Sequence, residues 1–357
     1  MNDFDHHDTG TGRIKLTRPK KLNSLSNEMI HDLTKVYTDF QTKGKLASVW
    51  LEGEGRAFCA GGDVDAIRTA ILDGTSTLPQ DFFYDEYKLN HLIASLNIPH
   101  ISIWDGFVMG GGVGLSVHGT YRVCTENTMF AMPETAIGLF PDVGGTFALP
   151  RVKQGLPMGL YIGLTGVRLK ASDLMYTGLA THYIASEKLS DLANEISKAE
   201  SSQDVDKILN KMCDDDVEEE APLSKNADAI ASHFGHDTIE DIAVSLIGDE
   251  SKFSEKAFTM LSKMSPLSLK VTFEALKVNS AKDRTLAEAL GIEYRLSQRF
   301  MREQPHSDFC EGIRAVLVDK DHEPKWAHET LSDVSEKQVR AFFEPLDADH
   351  SRGELKV

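Results

Sequence analysis

Cysteine is scarce in this 357-residue chain: only Cys59, Cys124, Cys213 and Cys310 occur, with no CxxC pair and no spacing that suits zinc. Scattered thiols of this kind point to a reducing compartment. Long apolar runs are also missing. None approaches the ~20 residues needed to cross a bilayer, so no membrane partner is expected. Positive charge is in deficit, with 38 basic against 55 acidic residues and a formal net charge of −17. A nucleic-acid binder would normally carry a basic face, so that class is excluded. The same deficit opposes steering of an anionic ligand from a distance, and any phosphate site must be built locally. The first ten residues, MNDFDHHDTG, lack the apolar stretch of a secretory signal and the Arg-rich character of a transit peptide. The last four, ELKV, do not match a peroxisomal signal. A cytoplasmic protein is expected, or a mitochondrial-matrix one if the chain is a processed form.

Several familiar motifs are absent too. There is no Walker A loop and no HExxH, and His6 and His7 fall in an expected tail, so no metal site is expected. The glycines at 110, 111, 112 and 114 do not make GxGxxG, because Leu115 and Val117 stand where the last glycine is required. Gly114-Leu115-Ser116-Val117-His118 comes close to a nucleophile elbow but ends in histidine, so Ser116 is read as a packing residue. Cys59, between Phe58 and Ala60, reads as a small buried hydrophobe.

What is present is ordinary globular material: 41% hydrophobic and 26% charged residues, enough for a large core without disulfides. Arg13 to Thr17 reads as a short strand. Leu25, Met29, Leu33, Val36, Tyr37 and Phe40 recur at helical spacing, with Ser26 as N-cap. Ala47 to Leu51 reads as a buried strand, followed by the glycine-rich turn EGEGRAFCAGGD. Residues 98–104 read as another strand, followed by DGFVMGGGVG and an apolar helix through Val117. Tyr121 to Cys124 and Met129 to Ala131 are short strands, and a further helix opens near Gly145. Strands alternating with helices predict an α/β architecture with ligand chemistry at the strand ends. Residues 190–265 are polar and helical in flavour. The acidic residues Asp214–Asp216 and Glu218–Glu220 read as a solvated loop or helix end. Pro266 suits the first turn of a helix, and Thr285 with Glu288 forms a capping box for another.

Two patterns carry chemistry. The glycine-rich turns at 60–62 and 110–112 suit an oxyanion hole, because glycine frees the backbone amide and lets a ligand approach closely. Tight strand–helix turns with no ligand would look the same. The loop after residue 131 supplies Glu134 and Asp142, two carboxylates flanking the apolar stretch Ala136 to Phe140. Carboxylates in such company are candidates for burial and a raised pKa, and either can serve as base or nucleophile. A helix cap for Asp142 and a surface position for Glu134 remain open on residues alone.

At these residues the chain resembles the crotonase superfamily. Phe58-Cys59-Ala60-Gly61-Gly62-Asp63 and Met109-Gly110-Gly111-Gly112-Val113-Gly114-Leu115 resemble its two oxyanion motifs. Met132-Pro133-Glu134 with Gly144-Gly145-Thr146 resembles its third block. Within the superfamily the likeness is to the acyl-CoA thioester hydrolases, on FAMPETAIGLFPDVGG, MSPLSLKVT, TLAEALGIEYRLSQRFM and FCEGIRAVLVDKDHEPKW. The resemblance spans about residues 11–345 and implies an α/β spiral of ββα units with a helical C-terminal region. Its implied divisions are a tail at 1–10, a catalytic core at 11–190, a mainly helical region at 191–345 and a tail at 346–357. It implies an acyl-CoA substrate, with coenzyme A part of the substrate and no further cofactor, and it allows an oligomer. It places the oxyanion amides at Gly62 and Gly111, the catalytic carboxylates at Glu134 and Asp142, and a substrate-binding carboxylate at Glu86. Gly111, Glu134 and Asp142 also fall at substrate-binding positions. Lys20, Lys21 and Arg56 are candidates for the CoA phosphates. The hydratases of the superfamily carry a second glutamate where Gly114 stands here, so hydration of an enoyl-CoA is disfavoured. Hydratase or isomerase activity, and non-catalytic acyl-CoA binding, are the alternatives to thioester hydrolysis.

Overall fold

The computed structural model describes residues 4–43, 46–214, 217, 220–302 and 307–357, and the side chains of 4–9, 43 and 302 lie outside that description. Of the acidic stretch, residues 215, 216, 218 and 219 also lie outside it, as do the side chains of His6 and His7.

Among the described residues the strands are β1 (Phe4–Thr9), β2 (Thr11–Leu16), β3 (Ser48–Gly53), β4 (Ala57–Cys59), β5 (His100–Trp104), β6 (Phe107–Met109), β7 (Tyr121–Cys124), β8 (Met129–Ala131) and β9 (His182–Tyr183). They form a sheet ordered β1-β2-β3-β5-β7-β9 and a second ordered β4-β6-β8. Every pairing is parallel except β1 with β2. The chain lays one strand in the larger sheet, the next in the smaller, and then leaves both before returning. It does this at β3-β4, β5-β6 and β7-β8, which is a spiral of ββ-plus-helix turns. β5 is buried along its whole length, as a parallel strand covered on both faces should be.

Residues 4–9 of the expected tail form a strand. β1 forms a hairpin with β2 around Gly10, whose φ of +76° supplies the left-handed corner. Its polar composition hid it from a pattern based on apolar residues, because the ladder comes from β2.

The chain separates into two compact units. The first comprises Met1–Gly62, Lys88–Ala131 and Arg168–Ser224, and holds both sheets. Its core packs Trp50, Ile101, Ile103 and Val123 of the larger sheet against Leu192, Ile196, Val205 and Leu209 from two amphipathic helices. Helix α1 (Asn27–Lys43) buries the predicted stripe, and its Met29 amide is capped by Ser26 at 3.2 Å. The second unit comprises Asp63–Tyr87, Met132–Val167 and Lys225–Val357 and is helical. Its helices start where the sequence places them. Pro266 opens Pro266–Asn279 behind a Ser265 cap, and the Thr285–Glu288 box precedes Leu286–Arg302. Phe140, Phe300 and Phe342 stack through its core at centroid separations of 5.8 and 4.8 Å. Residues 346–357 are tied down: Glu354 pairs with Arg295 at 2.9 Å, and Arg352 reaches Asp85 at 2.8 Å while covering the Tyr84 ring. No described helix is long and apolar enough to cross a membrane.

Candidate active site

The first unit presents the glycine turns. β6 ends at Met109, Gly110 turns with φ +46°, and Gly111 opens the short helix α2 (Gly111–Gly114). The first amides of a helix have no acceptor inside it, which leaves the Gly111 N–H available. Gly112 is required by packing, since a Cβ there would lie 2.3 Å from the Cys59 carbonyl oxygen. The other turn follows β4. Gly61 has φ +108°, and Gly62 forms a parallel bridge with Leu25. A Cβ on Gly61 would sit 3.8 Å from the Gly111 nitrogen, so the two turns adjoin. Among the described residues, neither the Gly62 nor the Gly111 amide donates a backbone hydrogen bond. Cys59 is buried and Ser116 donates to the Gly112 carbonyl at 2.7 Å, so both pack as expected. The helix expected through Val117 closes earlier, at Gly114.

The same unit places the three candidate cations on adjoining turns. Lys20 and Lys21 are exposed on the short helix Pro19–Lys21, and exposed Arg56 follows Gly55, where a Cβ would meet Pro19 at 3.1 Å. Asn23 fastens these turns together by donating to the Ala57 carbonyl at 2.7 Å and the Glu54 carbonyl at 3.0 Å.

The second unit gathers the acids. Glu134 begins a 3-10 turn, Glu134–Ile137, that ends at Gly138 with φ +69°. Gly138 lies so close to the Asp308 carbonyl oxygen, 2.1 Å from where a Cβ would be, that only glycine fits. Thr135 anchors the turn by donating to the Leu164 carbonyl at 3.2 Å, while its own carbonyl accepts the Ser265 amide at 3.2 Å. Glu86 and Tyr87 come from a helix, Leu78–Ala94, whose Phe83 and Tyr87 rings meet at 6.0 Å one turn apart. Glu86, Glu134 and Asp142 are 2%, 5% and 5% exposed, so these sequence-predicted carboxylates are all buried. Asp142 is not a helix cap: its Oδ2 accepts the Tyr87 hydroxyl at 2.7 Å. Glu134 is not a surface residue. Glu86 Oε1 and Glu134 Oε2 are buried with no hydrogen-bond partner, although buried polar atoms are nearly always satisfied. Such orphaned acceptors suit a ligand or water.

Electrostatics follow from that crowding. Burial, then the Asp142 charge, pushes the Glu134 and Glu86 carboxyls well above the usual range. Burial raises Asp142 to about 7, against the pull of the Tyr87 hydrogen bond. In the free protein these groups therefore compete for ionisation and hold protons near neutrality, which is the condition for acid–base work.

One residue of the cluster escaped the sequence reading. Glu293, fully buried on the helix Leu286–Arg302, accepts the Gly144 amide at 2.6 Å on Oε2 and the Thr146 amide at 3.0 Å on Oε1. The Thr146 hydroxyl also donates to it. Burial raises its carboxyl to about 8 while these donors pull it down. Between Asp142 and these amides, Val143 takes φ +53° and Gly144 φ +80°. A β-branched residue there is strained by about 1–3 kcal/mol.

Parallel ββ-helix turns bearing paired glycine corners, together with a buried carboxylate cluster, define an enzyme of the crotonase fold. The enoyl-CoA hydratase/isomerase profile matches residues 11–343. The chain is 45% identical over 341 residues to the mitochondrial 3-hydroxyisobutyryl-CoA hydrolase of Xenopus laevis, covering 94% of this chain and 86% of that protein. It is 44% identical over 344 residues to the enzyme of the same name from Rattus norvegicus, with the same coverage of 94% and 86%. A crystal structure of a carnitinyl-CoA dehydratase from Mycobacterium thermoresistibile matches at a TM-score of 0.89 and 34% identity, covering 100% of this chain and 99% of that one. The chain belongs to the enoyl-CoA hydratase/isomerase family.

Proposed function

We propose that the chain hydrolyses the thioester of 3-hydroxyisobutyryl-CoA, and of 3-hydroxypropionyl-CoA as a second substrate, to the free hydroxy acid and CoA. This is a step of the valine-breakdown type. The observation that carries the reading is the buried trio Glu86, Glu134 and Asp142, with an unpartnered oxygen on two of them, in a chain 45% identical to a protein of that name. The Gly62 and Gly111 amides bind the thioester oxygen and stabilise the charge that develops as the carbonyl is attacked. Glu134 and Asp142 divide the proton work. The attacking oxygen comes from a carboxylate or from water it activates, the C–S bond breaks, and a carboxyl proton leaves on the CoA sulfur. Water finally supplies one oxygen to the acid product. Glu86 receives the 3-hydroxyl. Lys20, Lys21 and Arg56 meet the CoA phosphates, and coenzyme A enters as part of the substrate. Free cysteines at all four positions suit a reducing compartment, cytoplasm or mitochondrial matrix.

Hydration of an enoyl-CoA uses two carboxylates about one water. The position of the hydratases' second glutamate holds Gly114, buried in α2, which disfavours that chemistry. A non-catalytic binder would not need two buried, high-pKa carboxylates. The test is free-thiol release. Glu134→Gln and Asp142→Asn are each expected to cut kcat by at least about 10², in the range typical of lost acid–base groups, with CoA binding retained. Near wild-type turnover in both variants would remove the chemistry from this loop.

A further inference from the structure

We propose that Glu293 is a positioning residue for Asp142, acting through the left-handed turn that directly follows the aspartate. The inference rests on the reading that Asp142 acts in thioester hydrolysis. Val143 and Gly144 occupy consecutive left-handed conformations, at φ +53° and +80°. Successive amides in such a turn form a concavity that binds anions. Here the anion is internal: Glu293 Oε2 takes the Gly144 amide at 2.6 Å, and Oε1 takes the Thr146 amide at 3.0 Å and the Thr146 hydroxyl. Asn279 extends the chain by donating to Thr146 Oγ1 at 2.8 Å. Three donors, the alternate amides of Gly144 and Thr146 and the Thr146 hydroxyl, are thus held by one carboxylate, 149 residues away in sequence from Gly144. On the near side the aspartate head accepts the Tyr87 hydroxyl at 2.7 Å. Within the turn the Asp142 carbonyl also accepts the Gly145 amide at 2.6 Å. With a strained left-handed valine between them, the direction in which Asp142 leaves the backbone depends on Glu293 keeping its three donors as well.

A glutamine at this position keeps the shape but has one acceptor oxygen and one NH2 group. Whichever way it lies, an N–H or hydroxyl donor then faces another donor. Glu293→Gln should loosen the turn without removing any group that touches substrate.

The test is a double-mutant cycle on 3-hydroxyisobutyryl-CoA hydrolysis, with Glu293→Gln, Asp142→Asn and both together. Glu293→Gln alone is expected to lower kcat about 10- to 100-fold, the size of loss that a misplacement of about 1 Å produces. KM should move less than about threefold, because substrate contacts remain. In the Asp142→Asn background the same change should cost almost nothing further. An undiminished loss in that background, or a wild-type kcat in Glu293→Gln, would overturn the positioning role while leaving the hydrolase reading intact. A wild-type rate in Asp142→Asn alone would overturn that reading and this inference with it. If Glu293→Gln does not fold, Thr146→Val enters the same cycle. It removes the hydroxyl donor to Glu293 together with the acceptor of the Asn279 amide, and a smaller kcat loss, again absent beside Asp142→Asn, is expected; an equal loss in both backgrounds would refute the role.

Discussion

Asp142 is the residue at which burial and ionisation oppose each other. Its carboxyl is raised by burial to about 7, from an ordinary 3.8, even with the Tyr87 hydroxyl donating to it. The folded state therefore binds this proton more tightly than the unfolded chain does. The stability linked to the proton is fully present below the ordinary carboxylate range and is lost as pH rises through about 7. Asp142→Asn should accordingly raise Tm at about pH 8, by an amount corresponding to roughly 1–3 kcal/mol after partial loss of the Tyr87 bond. The gain should vanish near pH 4. Thermal denaturation of both proteins across that range checks it, and an equal gain at both ends would sink the linkage. Glu134 and Asp142 could be singled out from sequence because they flank an apolar stretch inside a recognisable block. Glu293 could not, although a signal existed. It sits three residues after Leu290 and next to Tyr294, so a carboxylate occupies the buried stripe of its own helix. Its partners, Gly144 and Thr146, are too distant in sequence for spacing to connect them.

At the scale of elements, the two neighbouring glycines of α2 separate function from packing. Gly111 stands at the first helical position, where proline fits sterically, so Gly111→Pro removes one amide with little damage to the helix. It should cost roughly 10²–10³ in kcat, with a far-ultraviolet circular dichroism spectrum like that of the wild type. Gly112→Ala instead pushes a carbon to 2.3 Å from the Cys59 carbonyl oxygen, so backbone must move, and about 1–3 kcal/mol of stability should go. Denaturant unfolding distinguishes the pair. A fully active Gly111→Pro would eliminate that amide as a donor, and an unaffected Gly112→Ala would contradict the close packing of α2 on β4. Legibility was uneven at this scale for a physical reason. β7 and β8 have the bounds expected from the sequence, because each is a short run of β-forming residues, with one arginine in β7, set between turns. β4 and β6 are three residues each and lead into glycines, so in the sequence they merge with the glycine-rich turns EGEGRAFCAGGD and DGFVMGGGVG. Those short strands form the second sheet with β8, and the spiral was accessible only through family resemblance.

For the molecule as a whole, a net charge of −17 must be reconciled with a polyanionic CoA substrate. Long-range attraction cannot gather it, so affinity has to come from contacts at close quarters. In the proposed function, Lys20, Lys21 and Arg56 on their adjoining turns would be the local cations for that task. In that proposed function, substrate identity would rest on Glu86, whose Oε1 is buried with no partner and whose carboxyl is raised by burial. A buried acceptor left unpaired costs about 1–3 kcal/mol, and a substrate hydroxyl would satisfy it. The most direct test of the whole account is kcat/KM for thiol release from 3-hydroxyisobutyryl-CoA and isobutyryl-CoA, measured on the wild type and Glu86→Gln. A roughly five- to two-hundred-fold preference for the hydroxylated thioester is expected, reduced in the variant. Equal rates for the two thioesters on the wild type would contradict it.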